Sequence, residues 1–402
     1  MASQKINFKN KEGYQLAGRL EMPVGQHPHS FALFAHCFTC NKNLSAVRNI
    51  GRTLNQSGVA VLRFDFAGLA ESEGDFENTN FSSNVGDLLA AAEYLEENYK
   101  APVLLIGHSL GGAAVINVVD QLPSIKAVVT IGAPYSPAHV SHLFDNSKAE
   151  IEQYGKAEVS IGGRSFTVKK QFLDDISSTQ QQDKIQKLRR ALLVLHSPQD
   201  TTVEVANAGK IYKAAHHPKS FISLDGADHL LSNKDDSNYV GNVIGHWVKR
   251  YLDIPARPKL TSNNEVVVRL GDEGFTSEVM VRHHGLIADE PIGVGGNDFG
   301  PSPYELLSAS LGACTAMTLQ MYARRKKWDL KEVRVHLDHR KDYTTDLAET
   351  GKSSKIDYFD RLIEMDGDLD EKQIKRLLEI ADRCPVHRTL HSDIKVVTRL
   401  KR

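Results

Sequence analysis

The run Gly107-His108-Ser109-Leu110-Gly111-Gly112 constrains this chain more than any other stretch. It follows the apolar segment Val103–Ile106, which reads as a strand, and leads into Ala113–Val119, which has helical composition. A serine between such glycines sits on a cramped strand-to-helix turn, where a side chain two residues to either side would collide with the neighbouring strand or helix. Its hydroxyl then projects at the start of a helix, where the amide of Leu110 can face a developing oxyanion. Such a turn belongs at the edge of a mostly parallel sheet with helices on both faces.

The rest of the first 250 or so residues keeps that rhythm of short apolar runs and helix-period segments. Ser30–Ala35 and Val59–Phe64 read as strands with the helix Ser45–Gln56 between them, and the N-terminus begins in an alternating strand pattern. Val128–Ile131, Leu192–Leu195 and Ser220–Leu224 read as further strands, and Asp235–Leu252 as a closing amphipathic helix. Between about 134 and 187 the rhythm breaks. There Glu158–Lys170 alternates around Ile161-Gly162-Gly163-Arg164, which predicts a hairpin inside a small cap.

Nucleophilic use of Ser109 needs a base and an acid. The strand Leu192–Leu195 runs into His196-Ser197-Pro198-Gln199-Asp200, and Ser220–Leu224 runs into Gly226-Ala227-Asp228-His229. His229 is the expected base, with Asp200 holding its imidazole in the useful tautomer. Asp228, adjacent to His229, is the rival acid, while His108 and His196 read as strand-end histidines with local hydrogen bonds. The turn and the order Ser109, Asp200, His229 resemble the α/β-hydrolases of serine esterase type. That resemblance implies a second oxyanion donor from His36-Cys37-Phe38-Thr39-Cys40, with Cys37 in the glycine position of the esterases' His-Gly-X turn and Phe38 supplying the amide beside Leu110. The loop from Asp65 to Ser72 is similar to another family turn, with Ala70 in place of its second glycine, in a structural role.

A chain of 402 residues exceeds the 250–300 or so at which a single core usually stops growing. Paired prolines in Asp253-Ile254-Pro255-Ala256-Arg257-Pro258, followed by polar Thr261–Asn264, mark a linker at 254–263 between a domain at 1–253 and another at 264–402. The second reads as α+β. Glu265–Leu270, Thr276–His283 and Leu286–Ala288 are expected strands, then a helix from Pro303 to about Arg325, strands at Val333–His339 and Ile356–Met365, a helix at Glu371–Arg383 and a last strand at Ile394–Leu400.

Composition excludes several classes. A formal net charge of −1 offers no field to attract nucleic acid or an acidic membrane surface, and no apolar run approaches the roughly 20 residues that span a bilayer. The N-terminus lacks the apolar core of a signal peptide, which places the chain in the cytoplasm as an expectation. Four cysteines are too few for a secreted disulfide scaffold of this size. Cys37 and Cys40 form C-x-x-C, open to redox, zinc or plain packing; zinc would need two more ligands, and taking His36 or His229 would dismantle the site. Packing beside the oxyanion turn is the expected reading, and no metal or cofactor is expected.

Further on stand the run Gly295–Thr315, which ends in Ser308-Ala309-Ser310-Leu311-Gly312-Ala313-Cys314-Thr315, and the run Arg383-Cys384-Pro385-Val386-His387-Arg388. Together these resemble the OsmC-like family, which includes organic hydroperoxide resistance proteins. The resemblance implies that Cys314 attacks a peroxide and Cys384 resolves the sulfenic acid, with a thiolate favoured by an arginine and a glutamate. Tyr304 stands where the glutamate is expected and Glu305 one residue later; Arg282 is a candidate arginine. It also implies a homodimer, with the helix Leu306–Met321 as shared core.

The combined reading is a serine hydrolase acting on a small ester or acyl substrate, fused to a thiol domain that reduces organic hydroperoxides. Two alternatives stay open: a peroxide-detoxifying enzyme whose first domain only delivers substrate, and an esterase with a redox-silent dimerisation module.

Overall fold

Strands with every residue buried belong at the centre of a sheet covered on both sides, and the computed structural model puts the apolar runs there. It describes residues 2–23, 28–161, 163–252, 260–271, 274–296, 298–343 and 355–401. The chain divides into two compact units, Met1–Lys259 with Gly271–Gly274, and Leu260–Leu270 with Phe275–Arg402. Of the expected linker, residues 254–259 lie outside the described residues.

In the first unit β1 (Ala2–Lys9), β2 (Gln15–Met22), β3 (Ser30–Ala35), α1 (Ser45–Gln56), β4 (Val59–Phe64), α2 (Phe81–Asn98), β5 (Leu104–His108), α3 (Leu110–Val118) and β6 (Ala127–Ile131) precede the cap. The cap holds a 3-10 stretch Pro137–Ser147, α4 (Lys148–Tyr154), the hairpin β7 (Lys156–Ile161) and β8 (Arg164–Lys169), α5 (Lys170–Ser178) and α6 (Gln181–Lys187). Then come β9 (Ala191–His196), α7 (Ala206–Ala214), β10 (Lys219–Ser223) and α8 (Lys234–Val248).

The eight strands order as β1-β2-β4-β3-β5-β6-β9-β10. The pairs from β4 to β10 are parallel, and β1 and β2 add an antiparallel edge. Successive residues point to opposite faces, so Leu33, Leu62, Leu105 and Val128 pack with α2 and α3. Ala32, Val61, Leu104 and Val129 pack with α1 and α8. Phe144, Ile151, Val159, Phe172 and Ile176 of the cap join the first of these cores.

The second unit contains a three-stranded antiparallel sheet of β11 (Val266–Arg269), β12 (Ser277–Val281) and β13 (His284–Ala288). After it come α9 (Pro303–Lys326), the long strand pair β14 (Asp329–Tyr343) and β15 (Lys355–Asp368), α10 (Glu371–Ala381) and α11 (Pro385–Leu390). Reciprocal caps at Ser302/Glu305 and Asp370/Gln373 fix the starts of α9 and α10. Its core is small, built on Leu319, Ala323, Leu330, Leu377 and Ile380.

One expected strand is absent. Ile394–Leu400 has no regular structure, and Ile394, Val396, Val397 and Leu400 are exposed. Alternation alone makes no strand, because its amides and carbonyls need a neighbour to pair with.

Candidate active site

The sterics expected around Ser109 hold in atomic detail. Ser109 caps α3 at φ 55° and ψ −125°, and its amide donates to the Ile131 carbonyl at 2.8 Å. A Cβ on Gly107 would lie 2.3 Å from the Gly111 carbonyl oxygen, and one on Gly111 would lie 2.4 Å from that of Ala35. The two glycines thus let β5, α3 and the end of β3 crowd together behind the serine.

The loop after β10 carries His229 back over this turn. Its Nε2 lies 3.0 Å from Ser109 Oγ, and its Nδ1 lies 2.7 Å from Asp200 Oδ2. The other Asp200 oxygen accepts the amides of Thr202 and Val203 at 2.8 and 2.9 Å. Burial opposes ionisation of Asp200, but His229 and these two amides outweigh it and hold the carboxyl below its ordinary value. An ionised Asp200 fixes the proton of His229 on Nδ1, which leaves Nε2 free to accept from the serine hydroxyl. Asp228, the rival acid, is exposed and accepts the Ser232 amide instead.

Three further histidines are buried under the site, and each donates a ring N–H to a main-chain carbonyl of one of its loops. His36 Nδ1 reaches the Cys37 carbonyl at 2.8 Å, His108 Nε2 that of His229 at 2.7 Å, and His196 Nε2 that of Val203 at 2.7 Å. Desolvation pushes all three below the ordinary imidazole value, His108 to about 3, so they stay neutral donors. The bond of His196 stays within seven residues, as a local role would have it, whereas that of His108 spans 121 positions and corrects the expectation of a local partner; that of His36 had no signal beyond its place beside the turn.

Cys37 and Cys40 are joined by a disulfide, with Cα atoms 5.3 Å apart. This corrects the expectation of unpaired packing residues. C-x-x-C spacing fits thiols, metal ligands or a bond, and here the turn, with Thr39 at φ 59°, brings the pair to bonding distance. Phe38 lies inside the closed loop. Ala70 takes φ 50° where the similar family turn has glycine; that loop holds Asp65, which forms a buried ion pair with Lys42 at 2.5 Å.

In the second unit Cys384 is fully buried, and its Sγ accepts the His387 amide at 3.3 Å and lies 3.6 Å from Thr315 Oγ1. Thr315 follows Cys314, which is half-buried on α9. Arg361 of β15 donates to Thr315 Oγ1 at 3.0 Å and to the Ala381 carbonyl at 3.3 Å, and pairs with Asp382 at 2.6 Å.

Comparison with known proteins assigns both halves. Residues 28–146 match the family model described as serine aminopeptidase, S33, and residues 295–399 match that of OsmC-like protein. The esterase domain of a Rhodothermus marinus protein, a crystal structure, is 49% identical, with 62% of this chain and 99% of that one covered at a TM-score of 0.53. The chain belongs to the α/β-hydrolases, with an OsmC-like region following. Est1E from Butyrivibrio proteoclasticus, solved with ferulic acid, shares the fold at 20% identity and a TM-score of 0.51, covering 61% of this chain and 98% of its own. An uncharacterized Rickettsia prowazekii protein is 29% identical over 139 residues, 34% of this chain. The match spans 57% of that relative's length.

Within the α/β-hydrolase half, Ser109, His229, Leu110 and Phe38 border one cavity of about 810 Å³. Within the OsmC-like half, Glu305 is taken up by the cap of α9, accepting the Ser302 amide at 2.6 Å, and Arg282 is exposed in the turn between β12 and β13 at φ 55°. Neither makes a hydrogen bond or ion pair with Cys314 or Cys384 among the described residues. The arginine that reaches the thiol region is Arg361, which the sequence reading missed because only the pairing of β14 with β15 brings that strand under α9. No helix among the described residues is long and apolar enough to cross a membrane.

Proposed function

We propose that the α/β-hydrolase half is a carboxylesterase working through an acyl-enzyme. The observation that carries this reading is the unbroken chain from Ser109 Oγ through His229 to Asp200, at 3.0 and 2.7 Å, opening on the cavity. Ser109 Oγ attacks the ester or thioester carbonyl while His229 Nε2 takes its proton. The oxygen that becomes negative receives the amides of Leu110 and Phe38; Leu110, as the first residue of α3, has no intrahelical acceptor for its N–H. Collapse returns the proton from His229 to the departing alcohol or thiol. Water, deprotonated by His229, then releases the carboxylic acid and restores the serine. No cofactor enters this cycle.

A fluorophosphonate probe followed by peptide mapping tests it. Labelling at Ser109, lost in Ser109→Ala together with hydrolysis of 4-nitrophenyl butyrate, is the expected result; labelling elsewhere overturns the reading.

For the OsmC-like half we propose reduction of organic hydroperoxides. The Cys314 thiolate attacks the peroxide oxygen and releases the alcohol, leaving a sulfenic acid; the Cys384 thiol displaces water to form a disulfide, which an external thiol then reduces. The polar contacts of Cys384 with Thr315 and the His387 amide support this pairing. Uncovered Met317, Met321 and Leu362 support a homodimer through the same region, tested by light scattering. Cys314→Ser abolishing hydroperoxide turnover while ester hydrolysis continues is the expected split. An unmodified protein without hydroperoxide turnover leaves the dimerisation-module reading, and one without ester hydrolysis leaves the delivery reading. The chain is proposed to work in the cytoplasm.

A further inference from the structure

The cavity over Ser109 has an unbalanced wall. Its lining includes the exposed Arg48 and Arg164 together with His139 and His142, and no aspartate or glutamate. The remainder is largely apolar, with Val140, Leu143 and Ile161 from the cap.

Other cations close to this wall are matched. Lys42 pairs with Asp65 and Glu71, and Arg63 pairs with Glu21, all inside the same region of loop and sheet. Arg48 and Arg164, by contrast, have no carboxylate partner among the described residues. Arg164 donates one bond, to the Thr39 carbonyl, and lies over the Phe166 ring, so most of its five donors stay free. Arg48 stands in the first turn of α1, at the end of the loop that begins with the Cys37–Cys40 turn. Both cations are therefore tied to the turn that carries Phe38, one by a hydrogen bond and one by the chain itself.

Resting on the esterase reading above, we infer that the substrate is an ester or thioester bearing a carboxylate, which Arg48 and Arg164 bind while its apolar part lies against the cap. A guanidinium presents paired N–H donors that match a carboxylate, and a cavity without competing acids favours an anion over an isosteric neutral group. The two arginines thus select substrate without joining the chemistry at Ser109.

The test compares two pairs of esters with the full-length protein: mono-4-nitrophenyl glutarate, with the anion on the acyl side, against neutral 4-nitrophenyl pentanoate, and butyryl glycolate, with the anion on the alcohol side, against neutral ethyl butyrate. Expected is a preference of about ten-fold in kcat/KM for one anionic ester over its neutral partner, carried by KM and weakened by salt. In the Arg48→Met, Arg164→Met double variant that ratio falls to about one, and the double lysine variant keeps part of it. If both anionic esters are turned over no better than their neutral partners, or if the preference survives the methionine pair, the inference falls. Ser109→Ala separates this outcome from failure of the esterase reading: loss of neutral-ester hydrolysis in that variant leaves the esterase standing, whereas hydrolysis that persists there removes both.

Discussion

His108 donates its Nε2–H to the main-chain carbonyl of His229, 121 positions further along the chain, at 2.7 Å. The residue beside the proposed nucleophile therefore holds the backbone of the proposed base. His36 donates likewise to the Cys37 carbonyl, and His196 to that of Val203 in the Asp200 loop.

Replacing His108 by alanine removes the donor and leaves the carbonyl of half-buried His229 without this partner, at a cost of about 1 kcal/mol. The expected result is a fall in kcat on 4-nitrophenyl butyrate of roughly ten-fold or more, with KM little changed, since this side chain does not line the cavity. A KM effect alone would contradict the positioning role.

Acid should unfold the hydrolase unit early. His108 is pushed from 6.5 to about 3 by burial, so between those values the unfolded chain binds more protons and stability falls as pH drops. His36 and His196 shift in the same direction. Asp87 opposes them: burial raises its carboxyl from 3.8 to about 6, so its contribution grows as pH falls through that window. Urea midpoints measured at about pH 7.5 and about pH 4.5 should drop in acid. The drop should shrink in His108→Gln and steepen in Asp87→Asn.

The Cys37–Cys40 bond closes the loop that carries Phe38. Dithiothreitol, which supplies the two electrons and two protons of reduction, should lower ester turnover on the order of ten-fold by freeing the oxyanion amide to wander. Cys40→Ser should start at that lower rate and show no response to the reductant. Equal rates with and without reductant in the unmodified protein would mean that the turn holds its shape without the bond.

Gly111→Ala would drive a methyl to within 2.4 Å of the Ala35 carbonyl oxygen and 2.5 Å of that of His36, both rigid backbone. The expected cost is about 1–3 kcal/mol or more, with loss of ester hydrolysis, read by thermal melting alongside the assay.

What could be read from the chain followed the range of the interaction. Ser109 was legible because its glycine neighbours act within two residues, and Asp200 and His229 because each follows a strand whose order the fold fixes. The donors beneath them were not, since the contact from His108 to His229 exists only after the sheet has formed. Arg361 stayed hidden for the same reason, whereas Glu305 was chosen by alignment on Cys314 and is bound in a helix cap, and Arg282, chosen with no motif to fix it, is exposed in a turn. The alternation of Ile394–Leu400 announced a strand, but a strand is a property of two segments, and the described chain offers it no second one.

Ser109 holds φ 55° with glycines crowded behind it, and this limits what mutation can do to the enzyme. A β-branched residue is a poor occupant of that backbone region, so threonine, the other aliphatic alcohol, is shut out by shape rather than by reactivity. Cysteine, with an unbranched side chain, passes the same steric gate. A lineage drifting away from serine at this position would thus meet a thiol nucleophile or a silent fold before it met a different hydroxyl.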